Sequence, residues 1–276
     1  DIIIRPGTKH ESVHIPVVLS QSGIKEMVYN DFYIGDVRRQ IMQKYAFVMN
    51  DGNKFCMETS VNDSLMVVCN DDFYVCPHCG YSESTTENLD EADFNSHQKT
   101  MEKKHPTPWG KDCEVKLVKN KLCHVFKTDV VRLFFSSPQA GNQEVMLSVM
   151  YALLEALSAE LDIERNDIKG CLHKVILDNK LMYSVVLYDA VAGGAGHVRR
   201  LVTESGDKFR QVVDKAIEIT KGCNCSPSCY GCLRNYYNQK IHDKLNRKFA
   251  YDFLENYSGK FETITEKEFE ANGMNL

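Results

Sequence analysis

Residues 222–242 read GCNCSPSCYGCLRNYYNQKIH, with Cys223, Cys225, Cys229 and Cys232 spaced Cys-x-Cys-x3-Cys-x2-Cys. Thiols this close in sequence do not pair into two unstrained disulfides. Short spacers carrying Gly222, Pro227 and Gly231 do let a chain wrap four sulfurs around one tetrahedral ion, the geometry of zinc. With thiolate at all four positions no coordination site stays open for water or substrate, so the ion is expected to be structural. A module built around such a loop draws its stability from metal as well as from a core.

A second set lies upstream. Tyr74-Val75-Cys76-Pro77-His78-Cys79-Gly80 reads as a strand end running into a Cys-x-x-Cys knuckle, the Gly allowing a left-handed turn. Cys113 is the natural third ligand and His105 the best fourth, because the two flank the turn segment PTPWGKD. His97 and Cys123 compete with them. The expectation is one or two structural Zn2+ ions. Cys56, Cys69 and Cys171 sit in apolar runs and read as core residues.

The 276 residues are 43% hydrophobic with a formal charge of −5, enough for a substantial core in one or two domains. No apolar stretch approaches the roughly 18 residues that span a bilayer, and no signal-peptide pattern opens the chain, so no membrane association is expected. Eleven cysteines, an odd number clustered at metal-ligand spacing, point to a reducing, cytoplasmic compartment. The first residue is Asp1, which suits a fragment of a longer chain.

Charge is uneven. Tyr81 to Gln98 carries five acids and no Lys or Arg, as befits a solvated loop between the halves of the upstream set. From His197 to Lys260 the chain has twelve Lys or Arg against seven acids. A modest basic face there, with Arg199, Arg200, Arg234, Lys240 and Arg247 as candidates, is suited to nucleic-acid phosphate; ordinary solvated helix faces are the equal alternative. Asn238 and Gln239 are candidates for sugar or base contacts, and Asn238 alternatively for a helix N-cap.

The periodicity predicts an α/β fold, a mixed sheet with packed helices. Strands are expected in 12–19, 54–59, 65–76, 125–135, 172–177 and 182–188, the last two joined by a hairpin at Asp178-Asn179-Lys180. Helices are expected over 35–46, 143–161, 197–203, 207–221 and 241–257. The division expected is a β-rich segment 1–75, a zinc-binding insert 76–123 with the acidic loop, an α/β zinc-binding domain 124–260 and a tail 261–276. Between the last strand and the next helix, Tyr188 to His197 reads YDAVAGGAGH, placing Gly193, Gly194 and Gly196 where a strand turns into a helix. The expected reading is a tight turn for close strand–helix packing; free N–H groups in such a turn can also cradle phosphate, although the Lys-Ser/Thr of a nucleotide loop is missing, and that is the alternative.

Taken in order, CPHCG, HPTPWGKDC, LCHVFKTDVVRLFF, LYDAVAGGAGHVRRL and CNCSPSCYGCLRNYYNQKIHDKL resemble the MrfA-type zinc-binding domain, over about residues 70–257. That domain occurs at the C-terminus of many superfamily 2 helicases and in the B subunit of the DISARM anti-phage system. The resemblance implies zinc on Cys223, Cys225, Cys229 and Cys232. It also implies a superfamily 2 helicase motor as partner, in cis or in trans, and a role on DNA in repair or phage defence. Cys123 stands where the family would have a Gly, which leaves it as a ligand or a small filler.

Three strings invite an enzymatic reading. Asp90-Glu91-Ala92-Asp93 spells a helicase motif, but it follows a polar run and no phosphate loop accompanies it. Glu114-Val115-Lys116 resembles a nuclease Glu-x-Lys but lacks a placed second acid. His242-Asp243-Lys244 resembles the His-x-Lys of phospholipase D nucleases, but Phe249 stands where that motif needs Asp. The function expected is a zinc-stabilised accessory module without catalytic residues of its own, any ATP and Mg2+ being used by the motor. The alternatives are a metal-dependent nuclease using Glu114 and Lys116, and a protein-interaction subunit.

Overall fold

The computed structural model describes residues 2–4, 17–19, 24–27, 41–49, 52–85, 102–107, 109–177, 180–265 and 267–268. Two long strands organise it, β5 (Lys54–Val75) and β9 (Val118–Phe135). They pair antiparallel from Phe55↔Phe135 to Val75↔Val118, with register shifts between Ser60 and Asp63 and between Val68 and Asp72. Such bulges bend a long strand and sharpen its twist.

Around this pair gather β1 (Ile2–Ile4), β2 (Val17–Leu19), β3 (Ile24–Met27), β4 (Ile41–Met49) and β6 (Ser82–Thr85). β10 (Ile168–Leu177), β11 (Lys180–Asp189) and β12 (Phe261–Ile264) complete a ten-stranded sheet, all of whose described pairings are antiparallel. β4 lies between β5 and β12. A separate two-stranded ribbon is formed by β7 (His105–Pro106) and β8 (Asp112–Cys113).

Helix α1 (Gln143–Leu161) has the predicted bounds. Asn142 starts it, its side-chain oxygen accepting from the N–H groups of Glu144 and Val145, and Asp162 in the left-handed region ends it. Met146, Leu147, Val149, Met150, Ala152, Leu153, Leu154, Ala156 and Leu157 are all buried, so α1 is apolar on most sides, as a central helix must be. It crosses β10 at Gly170, where a Cβ would lie 3.1–3.2 Å from Met150, Leu154 and Leu187. Helices α2 (Asp207–Gly222) and α3 (Arg247–Leu254) pack beside it. Below them Phe47, Phe55, Phe135, Phe209, Phe253, Tyr257 and Phe261 form a continuous ring cluster, for example Phe47–Phe55 with centroids 4.8 Å apart. Offset and tilted ring pairs of this kind contribute beyond their area burial.

Several expectations change. The helix predicted over 35–46 is β4 from residue 41 onward, and 35–40 lie outside the described residues. Apolar residues at a spacing of four satisfy a period of two equally well; Tyr45, Phe47 and Met49 face the helices while Ala46 packs on the opposite face. The strands expected at 54–59 and 65–76 are one strand, and of 12–19 only 17–19 is described. The helix predicted over 241–257 is instead a 3-10 segment (Tyr236–Lys244), α3, and a short 3-10 turn (Glu255–Tyr257). Asn246 interrupts it, capping α3 by accepting from the N–H of Lys248. His197–Thr203 reduces to a 3-10 turn, Val198–Leu201. Residues 178–179 and the string 90–93 lie outside the described residues, but Leu177↔Lys180 does close the β10–β11 hairpin. Phe261–Ile264, at the head of the expected tail, is a strand paired with β4.

Candidate functional site

The four-cysteine loop leaves the C-terminus of α2. The Sγ atoms of Cys223 and Cys229 are 3.5 Å apart, those of Cys225 and Cys232 3.6 Å, and those of Cys229 and Cys232 3.9 Å. Four sulfurs about 2.3 Å from one zinc ion lie about 3.8 Å from each other at the edges of a tetrahedron. None of the described cysteines is in a disulfide. The knuckle is shaped by N–H groups aimed at sulfur, from Cys229 to Cys232 and from Gly231 to Cys229, each at 3.3 Å.

Electrostatics fit a cation. The backbone N–H of Cys225, followed by the side chains of Cys225 and Cys229, brings the Cys223 thiol down to about 7. Burial pushes Cys225 and Cys232 up, reinforced at Cys225 by the neighbouring thiols. Gathering four thiolates here requires a dication to offset their repulsion.

The loop is locked to the fold by a residue the sequence had placed on the basic face. Arg247 donates from Nε to the Cys225 carbonyl (2.6 Å) and from a terminal nitrogen to that of Thr220 (3.1 Å), and its own N–H reaches the Pro227 carbonyl (2.8 Å). Arg234 donates to the Ser228 hydroxyl at 2.9 Å. Asn238 is fully buried; its amide donates to the Leu233 carbonyl and its oxygen accepts from the Asn235 N–H and bonds His242. Asn235 is thus the N-cap and Asn238 its reciprocal partner in a capping box. Gln239 and Arg200 are exposed. Arg199 is ion-paired with buried Asp129 at 3.1 Å, and the side chain of Lys240 is not among those described.

The upstream set also comes together. Cys76, Cys79, His105 and Cys113 offer ligand atoms all within 4.8 Å of one another, as the downstream four cysteines do. Cys76 and Cys113 sulfurs are 3.8 Å apart. Gly80, at φ +75°, turns the chain so that its N–H and that of Cys76 close the knuckle, bonding to Cys76 and Tyr81 carbonyls. His105 and Cys113 face each other across the β7–β8 ribbon, whose turn is tied by Thr107 and Lys111. His105 Nδ1 lies 3.1 Å from the Lys103 carbonyl, which assigns the proton to Nδ1; Nε2 is buried with no hydrogen-bond partner among the described residues. An orphaned, correctly tautomerised imidazole nitrogen beside three sulfurs is the donor set of a Cys3His zinc site, with the carbonyl as outer-shell support. Tyr81 stacks on the ring at 4.8 Å. Burial pushes the Cys76 thiol up, but the N–H groups of Cys79 and His78 outweigh it and bring it down to about 6. Cys123 lies in β9, its side chain not described, and His97 is outside the described residues.

At the glycine-rich turn the donors are occupied by the protein itself. Asp189, fully buried at the end of β11, accepts from Ala195 (2.7 Å) and His197 (3.1 Å) on one oxygen and from Val198 (3.0 Å) on the other. Gly193 and Gly194 donate to the Lys127 and Val191 carbonyls, and a Cβ on Gly194 would fall 2.5 Å from the Asp129 carboxyl carbon. The turn at Gly193, Gly194 and Gly196, weighed as a phosphate cradle against a tight turn for close packing, holds a carboxylate of the chain and admits that close packing. Asp189, four residues before Gly193, is the acceptor that the sequence reading did not single out. Glu114 and Lys116 are exposed and paired with Lys104 and Glu102, respectively.

An α/β module with two four-ligand clusters that could each hold a metal ion is therefore the class the fold and the clusters define. Residues 149–233 match the family model of the MrfA Zn-binding domain, and the chain carries an MrfA-type zinc-binding domain there. It is 24% identical over 232 residues to the Druantia protein DruE of Escherichia coli (strain UMEA 4076-1), covering 75% of this chain and 12% of that protein's length. A crystal structure of the DUF1998 helicase MrfA bound to DNA is 12% identical, with a TM-score of 0.42 over 88% of this chain and 30% of that one. No helix among the described residues is long and apolar enough to cross a membrane.

Proposed function

We propose that this chain is a zinc-binding accessory module of a superfamily 2 DNA helicase or helicase complex, holding structural zinc in both clusters and contacting DNA. The observation that carries the reading is the four-sulfur loop within the segment matched by the MrfA Zn-binding domain. All four of its ligands come from protein, so the metal orders a surface and leaves chemistry to a motor in the same chain or another subunit. ATP and Mg2+ act through that motor. The similarity to DruE favours a defence setting over DNA repair or DISARM itself, and the basic excess after His197 supports phosphate contact.

The test is DNA binding by the motor assembly at several salt concentrations. Replacing Arg200 and Lys240 by Gln should weaken binding and flatten the log–log salt slope by roughly 0.7–0.9 per lost contact, with zinc content unchanged. An unchanged slope removes this face from the DNA path.

A further inference from the structure

Three aromatic side chains stand in solvent around the four-cysteine loop. Tyr230, inside the Cys229–Cys232 knuckle, is 66% exposed; Tyr236 and Tyr237, opening the 3-10 segment, are 75% and 67% exposed. Three such rings exposed on one short segment make an apolar patch rather than a single exposed side chain. None is on a loose segment. Tyr230 hangs between two ligands and meets the His242 ring edge-on at 5.5 Å. Tyr236 and Tyr237 sit edge-to-face at 5.6 Å immediately after the Asn235 cap, whose partner Asn238 is buried. The four-cysteine loop and the Asn235 cap therefore fix the backbone from which the rings project.

The surroundings choose the occupant. Between Cys229 and Lys248 the chain has five Lys or Arg against the single acid Asp243, in a chain whose net charge is −5; Arg247 is spent on the loop and helix carbonyls and Lys248 pairs with Asp252, so the cations that count toward phosphate are Arg234, Lys240 and Lys244. The large apolar side chains exposed in this stretch are all aromatic; the exposed aliphatics Val115, Leu181 and Val191 lie elsewhere. Rigid aromatic faces amid positive charge fit unpaired bases, each of which offers a π-face whatever its identity, with the phosphates answered by the cations. We propose that Tyr230, Tyr236 and Tyr237 form a stacking platform for single-stranded DNA. This rests on the DNA-contacting reading above and specifies the strand form that this face takes.

The probe is a fluorescent oligo-dT strand and its duplex with oligo-dA, titrated against the zinc-loaded protein at two salt concentrations. Tyr236→Ala with Tyr237→Ala should weaken single-strand binding about tenfold, within the roughly five- to 150-fold that loss of one stacked base produces. Duplex binding and the salt slope should stay as in the wild type, because stacking releases no counterions. Tyr→Phe at the same positions should restore affinity; Tyr230→Ala should add to the loss. Zinc content and the unfolding midpoint serve as folding controls. Salt-dependent wild-type binding that the Tyr→Ala variants leave unchanged overturns the platform while sparing the DNA reading, and assigns the rings to a protein partner. Failure of the wild type to bind either form overturns both.

Discussion

Asp189→Asn is the most incisive single change. The carboxylate is fully buried and accepts three backbone N–H groups at 2.7, 3.1 and 3.0 Å. An amide keeps the shape but offers one oxygen. Its best orientation turns that oxygen to Ala195 and His197, converting two charge-assisted bonds into neutral ones at a loss of about 1 kcal/mol each. The NH2 then meets the Val198 N–H, and one bond becomes two opposed donors, for about 2 kcal/mol more. The sum is about 4 kcal/mol, or about 10 °C in a chain of this size. Thermal unfolding followed by circular dichroism, with zinc content measured alongside, checks it. A loss below about 1 kcal/mol would refute the account of this turn. Recovery of the variant in millimolar phosphate would show instead that the loop takes an external anion.

Elemental analysis should return close to two zinc ions per chain. His105→Ala should remove one and leave the other, and retention of both would discard the Cys3His assignment. Cys229→Ser should lower folded yield far more than Cys56→Ser, because structural zinc contributes on the order of 10 kcal/mol to the folding of small domains; equal yields would show that metal binding is not coupled to folding here. Gly170→Leu should cost about 2 kcal/mol by overpacking the α1–β10 crossing, with metal content intact, and a neutral effect in urea unfolding would contradict the packing described.

The parts legible in the sequence were those whose information is local. Cys223 to Cys232 lie within ten residues, and the turn between His105 and Cys113 is short, so spacing alone drew the ligands together. Helix α1 was bounded correctly because Asn142 caps it and its apolar run is long. Long-range pairing was not legible: nothing in residues 54–75 says that they meet 118–135 along nearly their whole length. The direction of a polar side chain was equally hidden. Arg247 was read as facing nucleic acid and Asn238 as either a sugar or base contact or an N-cap, yet Arg247 bonds three loop and helix groups and Asn238 is buried as the partner of the Asn235 cap, since packing and not residue type decides which donors are spent internally. The acceptor of the Gly-rich turn was close in sequence, but its role depends on how β11 ends against the 3-10 turn at Val198.

Those internal bonds also explain how a structural metal can act on a surface. Cys232 and Leu233 are buried with the residues that pack against α1, while Arg247 ties the Cys225 carbonyl to the last turn of α2 and sits at the start of α3. An ion that fixes the four sulfurs therefore fixes the register of α2 against α3 as well, through one guanidinium and one buried side chain. The same restraint reaches outward: Tyr230 stands between two of the ligands, and Tyr236 follows the Asn235 cap three residues beyond Cys232. Removing the metal frees these rings before it exposes the core, because Arg247 holds the Cys225 and Pro227 carbonyls but nothing then restrains the four sulfurs, whereas α1 is buried on most sides. Loss of single-strand affinity should consequently precede loss of helical signal as a chelator is titrated, and simultaneous loss would mean that the loop and the core form one cooperative unit.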